Sequence, residues 1–270
     1  MKKSVLTFVL FILLAGAASA VTDLPFPNLS GTNLVQPGQD EFTFVVLGDF
    51  RPARRDIPYP RAFTRMLDEV GVIHPSLVLS VKDAYYGYGG SFQRFKNEVA
   101  RFLGLVRSVD APFYNAIGNH EATDDPARET YLKQLYGRLY GSFDAGTIHF
   151  IALDTEEKGQ VGMISGLQLA WLKKDLEANK NADGIFVFLH RPLFSAENPG
   201  GTAFKDTANR DVLHGLFRHY KVKTVFAGHE HLFDDRVKDG VRYMIVGGGG
   251  ALRFPSPRHR AGFISTPWSL

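Results

Sequence analysis

Cysteine is absent from all 270 residues. That absence excludes disulfide staples, thiolate metal sites, a cysteine nucleophile and a lipid-modified N-terminal cysteine. Any metal bound here must be held by His, Asp, Asn or Tyr. Charge of one sign is not in large excess either, with 31 Lys and Arg against 28 Asp and Glu. No period of repeat length recurs, which excludes solenoids, and no Gly-x-x-x-x-Gly-Lys order is present, which excludes a nucleotide P-loop. Long apolar runs are lacking: the one from Val5 to Ala18 falls short of the roughly 20 residues that span a bilayer.

That run follows Lys2 and Lys3 and ends in Ala18-Ser19-Ala20, the charged, apolar and small-x-small order of a signal peptide. The sequence therefore predicts a leader over residues 1–20 cleaved after Ala20, a periplasmic or secreted product, and no stable membrane anchor after cleavage. Two lysines and no acid leave with it, so the net charge of +3 becomes +1. A chain so close to neutral is a poor candidate for nonspecific nucleic-acid binding. Oligomeric state leaves no mark on the sequence.

The full chain is 44% hydrophobic with 27 Gly and 14 Pro, enough for one buried core. Residues 21–40 have no sustained period and read as an exposed lead-in, with a single domain over 41–270. Within it, β-branched and aromatic runs alternate with amphipathic stretches. Strands are predicted over 42–47, 77–81, 113–117, 147–153, 184–189, 224–226 and 241–246. Helices are predicted over 61–70, 92–107, 126–140, 166–179 and 206–220. The alternation implies an α/β fold with helices on sheet faces, and this many strands implies two sheets.

Five of the apolar runs end in a residue able to ligate a metal. Val45-Val46-Leu47-Gly48 leads to Asp49, and the run from Leu77 to Lys82 leads to Asp83. Phe113 to Gly118 leads to Asn119 and His120, Phe186 to Leu189 to His190, and Val225 to Gly228 to His229 and His231. In α/β sheets such positions converge on one crevice at the carboxyl ends of the strands. Oxygen and imidazole donors of this kind suit Mn, Zn or Fe.

Gly48-Asp49-Phe50-Arg51, Asp83, Gly118-Asn119-His120-Glu121, His190 and Gly228-His229-Glu230-His231, in that order, resemble the calcineurin-like metallophosphoesterase family. Val187-Phe188-Leu189-His190 is similar to a purple acid phosphatase motif. The resemblance implies a four-layer α-β-β-α sandwich of two mixed sheets. It also implies a hydrolase of phosphomonoesters or phosphodiesters, which the leader makes an exported one, with two divalent or mixed-valence metal ions and a small phosphoester substrate. One metal would take Asp49, Asp83 and His231, and the other Asp83, Asn119, His190 and His229. A metal-activated hydroxide would attack phosphorus, with His120 as general acid to the leaving oxygen.

The pattern is broken twice. Arg51 stands where the family usually has a ligating His, or a glycine in purple acid phosphatases, and arginine has no lone pair to give. Tyr86, three residues after Asp83 where purple acid phosphatases place a tyrosinate, is a replacement ligand or a pocket-wall ring. Arg51 is alternatively a substrate-binding and catalytic residue, its planar fork engaging phosphate. Lys82 replaces a glycine before Asp83. It either lowers occupancy of the first metal or sends its stem outward to solvent. These two departures also admit a different class of protein, a degenerate binding protein with an impaired first metal site.

Arg191 is a second candidate for substrate phosphate. Glu121 and Glu230 are read as acceptors that orient imidazoles or as exposed acids, and Asp154 as site support or a cap. His74, His149, His214 and His219 read as structural. An aromatic, glycine-rich loop from Tyr85 to Ser91 would favour a nucleoside or aryl leaving group if it lines the crevice, and residues 253–260 read as an exposed basic arm.

Overall fold

The computed structural model describes residues 43–122, 125–196, 204 and 206–251. The leader, the lead-in and the basic arm read from the sequence lie outside them. Nine strands and five helices form among the described residues. Strands β1 (Phe44–Leu47), β2 (Leu77–Ser80) and β3 (Phe113–Asn115) make one sheet in that order, all parallel. The second sheet contains β4 (Gly141–Ala145), β5 (Ile148–Ala152), β6 (Gly184–Phe188), β7 (Thr224–Ala227), β8 (Phe233–Lys238) and β9 (Val241–Val246). Its order is β4-β5-β6-β7-β9-β8, with parallel pairing from β5 to β9 and antiparallel pairing at both edges. The larger sheet is thus mixed as expected, whereas the smaller one, among the described residues, is purely parallel.

Parallel neighbours need crossovers, and the helices supply them. Helices α1 (Arg61–Ile73) and α2 (Phe92–Val106) link the strands of the small sheet, and α3 (Pro126–Tyr136) follows β3. Helices α4 (Gly166–Ala178) and α5 (Thr207–His219) serve the large one. Polar caps start three of them: Ser91 accepts from the Arg94 amide, Asp125 from Ala127 and Asp206 from Asn209, each satisfying an N–H the helix leaves open.

Side-chain alternation along the strands separates three apolar layers. Val45, Leu47 and Val78 face Phe63, Phe95, Phe102 and Leu132 of α1, α2 and α3. Leu77, Leu79 and Tyr114 instead face Phe150, Phe186 and Phe188 of the other sheet. Ile185 and Val187 point the opposite way, onto Leu172 and Leu176 of α4 and Phe217 of α5. The middle layer is rich in aromatic rings, with Phe44 edge-on to Phe150 at 5.3 Å and to Phe186 at 5.4 Å. Each such ring contributes about 1.5 to 3 kcal/mol of burial, so this layer clamps the two sheets together. With both sheets fixed face to face, the loops after β1, β2, β3, β6 and β7 meet at one edge.

Two elements escaped sequence reasoning. β4 holds one strong strand former, Phe143, and β8 reads Phe-Asp-Asp-Arg-Val-Lys with three charges on its first five residues. The signal that could have found β8 is the Asp239-Gly240 pair, both at positive φ (49° and 83°), the composition of a two-residue hairpin turn.

Candidate metal centre

Each strand delivers its polar residue by a sharp turn, and the turns are strained. Asp49, Lys82, Asp83 and His229 all sit at positive φ, from 56° to 70°, a region that costs a non-glycine residue of order 1 to 3 kcal/mol. Hydrogen bonds hold these turns against each other: the Asp49 amide donates to the Lys82 carbonyl at 2.7 Å, and the His229 amide donates to the Asp49 carboxylate at 2.9 Å. Two motif glycines are required by closeness. A Cβ on Gly118 would lie 2.4 Å from Asp83 Oδ1, and one on Gly228 would lie 2.5 Å from Asp49 Oδ2.

The candidate ligands come together as the strand ends meet. His190 is buried, and its Nδ1 lies 2.8 Å from the Val81 carbonyl. A carbonyl only accepts, so Nδ1 carries the hydrogen and Nε2 presents a lone pair. That lone pair faces Asn119 Oδ1 at 2.9 Å, His229 Nδ1 at 3.1 Å and Asp83 Oδ1 at 3.4 Å. His229 Nδ1 is 2.8 Å from the same Asn119 oxygen. Donors on a shell about 2.1 Å from an ion lie about 2.9 to 3.4 Å apart in octahedral to tetrahedral geometry. The four atoms are therefore spaced as the ligands of a divalent ion would be; without one, the Arg191 guanidinium at His229 Nε2 puts the ring hydrogen on Nδ1, facing both His190 Nε2 and Asn119 Oδ1. Asp49 Oδ1 lies 3.4 Å from His231 Nε2, and ligand atoms of Asp49, Asp83 and His190 all fall within 4.8 Å of one another.

The electrostatics point the same way. Burial raises the Asp49 carboxyl above its ordinary range, partly opposed by His231. Burial, reinforced by the charges of Asp49 and Glu121, raises Asp83 well above it. Two fully buried carboxylates side by side need a cation to remain ionised. Burial, with His229 nearby, also pushes His190 well below the imidazole range, which keeps it neutral and able to ligate.

His120 lies beside this cluster. Its Nδ1 is 2.6 Å from the Tyr86 carbonyl, which fixes the tautomer, and Nε2 lies 3.7 Å from Asp83 Oδ2. Burial lowers its pKa to about 4, with the Tyr86 contact opposing and Arg51 adding to the shift. Tyr88 packs on the His120 ring at 4.2 Å and its hydroxyl accepts from Asn119 Nδ2 at 2.6 Å; half its surface is exposed. Tyr86 lies with its ring 5.5 Å from the Arg55 guanidinium and 6.4 Å from the Tyr88 ring.

Arg51 Nε is 3.9 Å from Asp83 Oδ2. Arg191 is pinned by Glu156, Nε to Oε1 at 2.6 Å and Nη2 to Oε2 at 2.9 Å, and its Nη1 reaches His229 Nε2 at 3.0 Å. Glu156 was not singled out from the sequence, because it stands 35 residues from its partner and nothing local marks the pairing.

Several sequence expectations are corrected. Glu121 orients no imidazole: its carboxylate accepts from the backbone amides of Asp83, Ala84 and Gly118 at 2.8 to 3.1 Å, so it shapes the two ligand loops. Glu230 accepts from the Ala196 amide at 2.8 Å. Asp154 turns the chain after β5, accepting from the Glu156 amide at 2.8 Å. Lys82 does not send its stem to solvent. It is fully buried, and its ammonium donates to Tyr136 at 2.9 Å and Tyr85 at 3.2 Å within 4.1 to 5.1 Å of the Tyr136, Tyr85 and Phe102 rings. Burial lowers its pKa to about 8, against the pull of Glu121 and Asp83.

Lys82 is therefore a core residue, tying the strained turn to α2 and α3. Lys82→Ala is expected to destabilise the fold by about 3 kcal/mol, from the cavity and from two tyrosine hydroxyls losing their donor. Lys82→Met, which keeps the stem in the aromatic cage, should recover more than half of that loss. Urea denaturation of the two variants decides it: equal midpoints would show that the cage does not hold the lysine.

Of the remaining histidines, His149 bridges Asp144 at 2.6 Å and Asp175 at 2.9 Å, and His214 bridges Tyr243 and Asp239. Both stitch elements together away from the cluster.

A family model for calcineurin-like phosphoesterases matches residues 40–233. "Purple acid phosphatase 23" of Arabidopsis thaliana is 32% identical over 122 residues, which is 42% of this chain and 26% of that protein. "Probable inactive purple acid phosphatase 9" of the same plant is 23% identical over 214 residues, or 63% of this chain and 31% of that one. The chain thus spans under a third of the length of these two relatives. Among solved structures, a purple acid phosphatase from yellow lupin (Lupinus luteus) seeds matches with a TM-score of 0.65 at 16% identity, over 87% of this chain and 47% of that one.

Proposed function

We propose that this chain, which belongs to the calcineurin-like phosphoesterase family, is exported and hydrolyses small phosphoric monoesters or diesters with the aid of bound divalent metal. The observation that carries this reading is the convergence of His190, Asn119, His229 and Asp83 donor atoms at 2.8 to 3.4 Å, with Asp49 and His231 alongside. Mn, Zn or Fe suits this mixture of oxygen and imidazole donors. Metal held there supplies Lewis-acid charge to a phosphoryl oxygen and acidifies a water.

The protein's own groups do the rest. The Val81 carbonyl holds His190 in the ligating tautomer, and Glu121 fixes the Asp83 and Gly118 turns. Ligation through His229 Nδ1 would place the ring hydrogen on Nε2, which then cannot accept from Arg191 Nη1, and Arg191, anchored by Glu156, would donate to a phosphate oxygen instead. Arg51 approaches the same space from the Asp83 side. His120, oriented by the Tyr86 carbonyl, aims Nε2 into the cluster and in its protonated form donates to the leaving oxygen. Export rests on the leader read from Met1 to Ala20.

A second reading, a binding protein with an impaired first metal site, is favoured by Arg51 standing beside Asp83 and by the name of one relative. One experiment separates the two. Purified protein stripped with chelator should lose hydrolysis of aryl phosphate mono- and diesters, and added Mn, Zn or Fe should restore it at least tenfold over the stripped state. No turnover with any metal would leave the binding protein.

A further inference from the structure

The donors around Asp83 fall into two halves of unequal quality. On one side His190 Nε2 lies 2.9 Å from Asn119 Oδ1, 3.1 Å from His229 Nδ1 and 3.4 Å from Asp83 Oδ1, and His229 Nδ1 lies 2.8 Å from the same Asn119 oxygen. On the other side stand Asp49 and His231, in contact at 3.4 Å, and the second oxygen of Asp83. That oxygen faces a guanidinium: Arg51 Nε lies 3.9 Å from Asp83 Oδ2. Arg51 Nε is buried and has no hydrogen-bond partner, while its Nη1 donates to the Pro52 carbonyl at 3.3 Å. Its positive charge favours the ionised forms of both Asp49 and Asp83.

A guanidinium stays protonated and carries no lone pair. It therefore contributes nothing to a coordination shell, yet it brings to two buried carboxylates the charge they need. We propose that the centre holds one divalent ion, in the half formed by Asp83, Asn119, His190 and His229, and that Arg51 serves as the fixed cation of the other half. This rests on the metal-dependent reading above and sharpens it. The unpartnered Nε–H points to its use: an N–H buried without an acceptor is satisfied by an anionic oxygen arriving from solution. Arg51 then engages a phosphate oxygen in the half of the site that holds no ion.

The test is metal stoichiometry, which does not depend on turnover. Protein stripped with chelator is reloaded with excess Mn²⁺ and desalted, then assayed for manganese by elemental analysis and for its electron paramagnetic resonance. Wild type should hold one Mn²⁺ per chain, with the six-line signal of an isolated ion. Arg51→His replaces the fixed charge by a lone pair and should move the content to two per chain with an exchange-coupled spectrum. Arg51→Ala is the second variant should the histidine not fold: it should take up a second ion at raised Mn²⁺ where wild type does not. Two coupled ions in wild type would overturn the proposal while leaving the phosphoesterase reading intact. A content of one in both variants would also overturn it, because Arg51 would not be what limits the site. No bound manganese in any form would sink this proposal and the metal-dependent reading together.

Discussion

Asp83→Asn is expected to strip the protein of its metal, to lower kcat/KM on an aryl phosphate by about 10³-fold, and at the same time to make the metal-free protein more stable. The loss follows from position: Asp83 presents one oxygen to His190 at 3.4 Å and the other to Arg51 and His120 at 3.9 and 3.7 Å, so it is the carboxylate shared by both halves of the site. Lewis-acid charge stabilisation contributes several kcal/mol to such chemistry, and each 1.36 kcal/mol is about tenfold in rate. The gain follows from burial. Without metal, the Asp83 carboxyl is raised well above its ordinary value by desolvation and by the charges of Asp49 and Glu121, which means that its ionised form opposes folding at neutral pH. An amide of the same shape keeps the oxygen that accepts from the His120 amide at 3.2 Å and removes the charge. The metal-free variant should therefore gain about 1 to 3 kcal/mol.

The sign of the pH dependence is a further check on the same residue. A carboxyl with a raised folded pKa is protonated in the native state before it is in the unfolded chain. Metal-free wild type should thus become more stable as the pH falls from neutral toward the unfolded carboxylate value near 3.8, and the Asn variant should show less of that gain. Thermal melts of both proteins in chelator at pH 7 and pH 5 measure it. A variant that melts lower than wild type at pH 7 without metal would mean that Asp83 stabilises the fold by its hydrogen bonds and Arg51 contact rather than burdening it with charge.

The ligands were legible in the sequence because each one interrupts a strongly apolar run, and a polar residue directly after Val-Val-Leu-Gly or Phe-Val-Phe-Leu has little to do in the core. The two-sheet fold was legible for the same reason, since the runs alternate with amphipathic stretches of helix length. What could not be read is everything made by partners distant in the chain. Lys82 has no local feature that distinguishes an outward stem from a buried one; its acceptor Tyr136 comes from α3, 54 residues on. Glu121 looked like a companion of His120, yet it belongs to the Asp83 loop, 37 and 38 residues away. The Arg191 and Glu156 pair likewise joins the ends of β6 and β5. Strands β4 and β8 were obscured by composition: edge strands tolerate the charges and small residues that sequence reasoning treats as loop.

His120→Ala is expected to separate substrates by their leaving groups. General-acid catalysis contributes about 10² to 10⁴ in rate, and that contribution is largest where the departing oxygen is most basic. The variant should lose about 10³-fold on an alkyl phosphate and tenfold or less on p-nitrophenyl phosphate, whose leaving group departs as an anion unaided. The geometry behind this is the Tyr86 carbonyl, which holds Nδ1 at 2.6 Å and leaves Nε2 as the atom that faces the cluster. Burial holds the imidazole at about 4, so the proton it must donate is scarce at neutral pH. On the alkyl ester, wild-type kcat should therefore decline as the pH rises while that of the variant changes less, so that the gap between the two proteins is widest at acid pH. Tyr88, tilted against the ring at 4.2 Å and bonded to Asn119, packs beside this imidazole. Profiles of kcat against pH on the two esters, with metal content measured in the same samples, give the answer. Equal losses on both substrates at unchanged metal content, with the pH dependence retained in the variant, would show that another group supplies the proton and that His120 only supports the Asn119 turn.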